Sequence, residues 1–127
     1  MLNLLKVIES IDSAKHYVSE HKSKNLKIGF VPTMGALHDG HVSLIKNAKK
    51  YCDIVIVSIF VNKKQFDNPR DFENYPRIVD EDLKTLQDNN VDMVFIPKND
   101  EIYPANFATQ ISIDNITQYL CLSLIHI

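Results

Sequence analysis

Residues 53–61 read Asp-Ile-Val-Ile-Val-Ser-Ile-Phe-Val, a run too rich in β-branched side chains and too short of polar alternation to lie on a surface. Such a strand needs apolar cover on both faces, which is the condition of a central strand in a parallel sheet. A second apolar run, Lys27 to Val31, has the same character and is read as the first central strand, stopped by Pro32. Between the two, Leu44, Ile45, Ala48 and Cys52 recur on one helical stripe, with Lys46, Lys49 and Lys50 outward as a solvated face. Strand, helix and strand in that order form a crossover unit whose strands run parallel.

The rest of the chain continues the alternation. Leu2 to Ile8 is read as extended, and Ser10 or Asp12 can cap a helix that carries Ile11, Ala14 and Val18 and ends between Lys22 and Asn25. Asn62 to Pro76, with two prolines and a cluster of aromatics, reads as a long loop, and long loops after a central parallel strand tend to carry function. A helix with Val79, Leu83 and Leu86 follows. It opens on Asp80, Glu81 and Asp82, whose solvated reading, favourable to the helix dipole, is preferred to a water-mediated contact with magnesium. Val91 to Ile96 is a third strand, Asn99 to Tyr103 a helical turn, and Gln110 to Ile113 a weak fourth strand. The pattern is α/β, a doubly wound parallel sheet, with its ligand expected outside the carboxyl ends of the strands.

Composition narrows the class of partner. A chain of 127 residues fits one domain, and a net charge of −2 with both signs dispersed argues against nucleic acid or a membrane surface. The segment from Met1 to Glu9 carries charge too early and stays apolar too briefly for a secretory or membrane segment. With only Cys52 and Cys121, the reading is a reducing, cytoplasmic compartment and no disulfide framework.

The chemistry is expected between the first two strands. Ile28 to His41 passes from apolar run through Gly35 and Gly40 into a helix, so that Asp39, Gly40 and His41 stand where a helix leaves amide groups unpaired. A helix start favours anions, phosphate above all. His38 and His41, three residues apart, fall on one side of that first turn. A zinc site would need a further ligand, and Cys52 lies on the apolar face of the helix instead. At the end of the second strand Asn62 and Gln65 are uncharged amides suited to orienting hydroxyl or carboxylate oxygens, or simply to capping the loop backbone.

Taken together, Val31-Pro-Thr-Met-Gly-Ala-Leu-His-Asp-Gly-His41, Val57-Ser-Ile-Phe-Val-Asn62, Gln65-Phe66, Tyr75-Pro-Arg77 and Glu101-Ile-Tyr-Pro104 closely resemble the pantothenate synthetase (pantoate–β-alanine ligase) family. The resemblance runs in order from about Leu2 to Tyr119. It implies a Rossmann-like domain of the His-x-Gly-His adenylyl-transferring superfamily, dimeric as a full-length protein, that uses ATP with magnesium, pantoate and β-alanine. Pantoate would attack the α-phosphate to give pantoyl adenylate and pyrophosphate, and β-alanine would then displace AMP. Carried onto this sequence, the ATP-binding segment is Met34, Gly35, Ala36, Leu37, His38, Asp39, Gly40 and His41. His41 and His38 are the catalytic pair, with His41 credited with proton donation, and Gln65, helped by Asn62, holds pantoate beside β-alanine. No metal ligand is assigned.

The departures leave alternatives open. Lys63 stands where the family has proline, with Gln65 still in register. Residues 1–119 would form the ATP- and pantoate-binding domain, incomplete by the family pattern. Residues 120–127 are an atypical tail, and the family's C-terminal domain is expected to be absent. Alternatives are a His-x-Gly-His nucleotidyltransferase and a non-catalytic nucleotide-binding or dimerisation module.

Overall fold

In the computed structural model, which describes residues 4–109, the chain runs β1 (Lys6–Ile8), α1 (Ile11–Ser23), β2 (Ile28–Thr33), α2 (Asp39–Tyr51) and β3 (Ile54–Ile59). A 3-10 turn (Lys63–Gln65), α3 (Pro69–Asn74), α4 (Val79–Asp88), β4 (Met93–Phe95) and α5 (Asn99–Ile102) follow. All four strands are parallel, in the order β1-β4-β3-β2. The first connection crosses the sheet in one direction and the next two return. Right-handed crossovers therefore put α1 on one face and α2 and α4 on the other, which is double winding.

The continuous apolar run of β3 serves both faces. Val55, Val57 and Ile59 pack with Val31 of β2, Ile45 of α2 and Leu86 of α4, whereas Ile56 packs with Ile8, Met93 and Tyr17 of α1. Ile45, Leu86 and Val57 have no exposed surface at all. Ser10 caps α1, its Oγ accepting from the Ser13 amide at 3.2 Å, and α1 ends at Ser23. Gly29 lets α2 close on the sheet, since a Cβ there would stand 3.0 Å from Cys52 Sγ and 3.3 Å from Ala48 Cβ.

Four expectations need correction. β2 is an edge strand among the described residues, not a central one, and Phe30 is 60% exposed on it. Apolar continuity alone does not separate the two positions. The strand also runs through Pro32 to Thr33, because an edge strand tolerates a residue with no amide hydrogen. Leu44 is 55% exposed and off the buried stripe of α2. Finally, 62–76 is not a plain loop. Asn62 caps the 3-10 turn and Asn68 caps α3, Pro69 occupies the first helical position, and Phe66 meets Phe72 and Tyr75 edge-on. Arg77 closes this unit by donating to the carbonyls of Phe72 and Tyr75, each at 2.9 Å.

The expected strand at 110–113 and the tail at 120–127 lie outside the described residues. Among the described residues, no helix is long and apolar enough to cross a membrane.

Candidate active site

The carboxyl ends of β2 and β3 border a cleft of about 680 Å³ lined by Met34, His38, His41, Asn62, Gln65 and Tyr75, with Pro32, Thr33, Ser58 and Phe60 at its floor and sides. The floor is fixed by a bond across the two strands, from Thr33 Oγ1 to the Ser58 carbonyl at 2.8 Å. The same Thr33 oxygen accepts from the Gly35 amide at 3.1 Å, which starts the turn towards α2.

At the head of α2 the two histidines cap the helix for each other. His38 is the N-cap in extended conformation, and its Nδ1 accepts from the Gly40 amide at 3.0 Å, while His41 Nδ1 accepts from the His38 amide at 3.2 Å. This is a capping box built of imidazoles, with the rings 4.1 Å apart. An Nδ1 that accepts carries no proton, so each neutral ring is the Nε2–H tautomer and keeps one donor for a ligand. The spacing has a steric reason as well. A Cβ on residue 40 would stand 2.7 Å from His38 Cε1, so Gly40 is what lets the first ring fold over the helix end. The expectation of bare amides is thus refined: two of the first N–H groups, those of His38 and Gly40, are already taken by the imidazoles.

Burial first, and then the neighbouring His38, push the His41 imidazole below its ordinary value, with Asp82 opposing. The lowered pKa favours the neutral ring of His41 at pH 7. Because its pKa in the fold is depressed, the unfolded chain takes up a proton first as pH falls. The contribution to stability is present above the ordinary histidine value of about 6.5 and is lost as pH falls through the depressed one. Protonated Nδ1 cannot accept, so ring ¹⁵N spectra are expected to show the Nε2–H tautomer at pH 7, and the His38 amide signal to move as His41 titrates below pH 6.5. A midpoint above the ordinary value would contradict this geometry.

Across the cleft Asn62 Oδ1 accepts from the Lys64 amide at 3.1 Å and from the Tyr103 hydroxyl at 2.9 Å. The oxygen is thereby committed, and Nδ2 is the group Asn62 can offer to a substrate. Tyr103 escaped the sequence reading as a site residue. Its ring is tilted against Phe60 and meets Phe107 edge-on, with Lys64 Nζ 5.1 Å from its centre. Glu101, two residues earlier, accepts from the Ile11 amide at the start of α1 at 2.8 Å. The Glu-Ile-Tyr stretch thus ties α5 to α1 on one side and to the cleft on the other.

Not all of the 34–41 segment faces the cleft. The amides of Ala36 and Leu37 point to Asp82, donating to Oδ2 at 2.9 Å and Oδ1 at 2.8 Å. Gly35 lines a smaller adjoining cavity of about 280 Å³, and Asp39 lies on the outer side of α2. The solvated reading of Asp82 is corrected with it: the side chain is 2% exposed and both its oxygens are engaged. Asp80 and Glu81 do remain exposed. A magnesium ion would find no place at Asp82, and the described residues hold no group of three His, Cys, Asp or Glu able to bind a metal.

A doubly wound parallel domain, with a mutually capped His-x-Gly-His pair and two amide side chains lining one cleft at its strand ends, is a Rossmann-like α/β fold. Within that fold class the pantoate-beta-alanine ligase family model matches residues 6–124, and the chain belongs to that family. It is 44% identical over 117 residues to the pantothenate synthetase of Thermotoga petrophila and 47% identical over 117 residues to that of Thermosipho africanus, covering 92% of this chain and 42% of each relative. Among solved structures, the pantoate-beta-alanine ligase of Francisella tularensis complexed with beta-gamma ATP and beta-alanine superposes with a TM-score of 0.77 and 46% identity, over 87% of this chain and 42% of that one. Pantothenate synthetase from Thermus thermophilus gives 0.70 and 35%, over 86% and 38%. The chain thus spans about 42% of the length of the curated relatives it matches.

Proposed function

We propose that this chain carries the ATP- and pantoate-binding face of a pantoate–β-alanine ligase, which joins pantoate to β-alanine through a pantoyl adenylate. The observation that carries the reading is the reciprocal histidine cap, which uses both Nδ1 atoms and leaves both Nε2 atoms to a ligand, on two rings that line the cleft with Asn62 and Gln65. A phosphate group of ATP seated there would meet donors aimed where negative charge grows during attack at the α-phosphorus.

On this reading a carboxylate oxygen of pantoate attacks the α-phosphorus, and the bond from that phosphorus to the bridging oxygen breaks. Its electron pair leaves with pyrophosphate. The β-alanine amine then attacks the acyl carbon, the carbon–oxygen bond to AMP breaks, and the new amide nitrogen gives up a proton. Asn62 and Gln65 orient pantoate, and the cleft keeps both reactants together so that the second step is effectively intramolecular. Magnesium would arrive on the ATP phosphates, and no residue role is derived from it. The enzyme would work in the cytoplasm, as a homodimer when full length.

The test is ATP–pyrophosphate exchange by this chain with pantoate. Exchange that requires pantoate is expected. Exchange driven instead by phosphopantetheine or nicotinamide mononucleotide would assign a nucleotidyltransferase. ATP binding with no exchange on any of these would assign a non-catalytic module.

A further inference from the structure

We propose that Asp82 is a positioning residue for the phosphate site: it clamps the 34–37 turn from α4 and so fixes where α2 presents His38 and His41. The proposal rests on the function proposed above for that histidine pair. Gly35 and Ala36 both have positive φ, +79° and +50°. The tight turn they make aims the amides of Ala36 and Leu37 into one concavity, as turns that bind anions do. Here the anion is internal. The carboxylate of Asp82 fills the concavity, one oxygen to the Ala36 amide and the other to that of Leu37.

Several features show that the arrangement is obligatory. Asp82 is 2% exposed, so its charge depends on those two amides for the solvation that water would otherwise supply. Gly35 leaves room for it, since a Cβ there would lie 3.0 Å from Asp82 Oδ2. One turn along α4, Leu86 is wholly buried in the core with Val57 and Ile45, so the clamp is anchored on a fixed element. His38 follows Leu37 directly, and the rigid turn therefore sets the direction in which α2 starts. The amides of 36 and 37 are thereby withheld from ATP. Asp82 touches no substrate on this account.

The experiment compares Asp82→Asn and Asp82→Ala with Val91→Ala, a wholly buried core position that controls for lost stability. Amide hydrogen exchange at Ala36 and Leu37 is read alongside ATP affinity by titration. Asp82→Ala is expected to strip protection from those two amides and to weaken ATP binding by about ten- to a hundredfold, the scale of one hydrogen bond to a charged group lost from alignment. Asp82→Asn, which keeps one acceptor but sets an amide donor against the other N–H, should fall between. Its loss of charge should also move the His41 titration further down, because Asp82 holds it up. Val91→Ala is expected to bind ATP as the parent chain does. Unchanged protection at residues 36 and 37, or lost protection with unchanged ATP affinity, would overturn the proposal. A parent chain that does not bind ATP would instead refute the proposed function, while the amide data still decide whether Asp82 holds the turn.

Discussion

Replacing His41 with alanine is expected to lower pantoate-dependent exchange by about two to three orders of magnitude, equivalent to roughly 2.7–4 kcal/mol for one lost transition-state donor. Two losses combine in this variant. The cleft loses an Nε2–H donor, and the His38 amide loses the Nδ1 that caps it. The second is a matter of stability and should cost about 0.5–2 kcal/mol, as removal of a helix cap does. A thermal melt separates them: a modest fall in melting temperature with a collapse in exchange is the expected pair. Exchange equal to that of the parent chain would remove His41 from the mechanism.

Leu86→Ala should cost about 2–5 kcal/mol of unfolding free energy, read by urea denaturation. Leu86 is wholly buried and holds α4 against β3 and α2, where the neighbours are already close-packed. Domains of this size are stable by only about 5–15 kcal/mol, so the change takes a large share. The effect reaches the site because Asp82 lies one helical turn earlier, and ATP affinity should fall along with stability. A loss below about 1 kcal/mol would mean that the α4 interface is looser than this packing shows.

The legible parts of this fold were those with a period or a motif. The β-branched run at 53–61 announced a strand covered on both faces, and β3 forms over its Ile54–Ile59 part. The His-x-Gly-His stretch announced a helix start, and α2 begins at Asp39 with His38 as its cap. Position within the sheet was not legible, because Ile28 to Val31 is as apolar at an edge as it would be at the centre. The compact build of 62–76 depends on Phe66, Phe72 and Tyr75 meeting in space and on Arg77 reaching carbonyls behind it, contacts that no local spacing specifies.

Asp82 shows the same limit more sharply. In sequence it is one of three acids at a helix start, and local reasoning gives all three to solvent. Its partners, Ala36 and Leu37, lie 46 and 45 residues away and use backbone amides, which leave no trace in side-chain identity. The one available hint was Gly35, whose missing Cβ makes the approach possible. Tyr103 is similar, since its hydroxyl meets Asn62 across 41 residues of chain.

The central claim is that the Nε2–H groups of His38 and His41 are the phosphate donors of an ATP site. It is tested most directly by ring ¹⁵N spectra of this chain titrated with α,β-methylene ATP. The account predicts that both Nε2 signals move on binding while both Nδ1 signals keep the character of acceptors. Nucleotide binding that leaves the two Nε2 signals in place would contradict it.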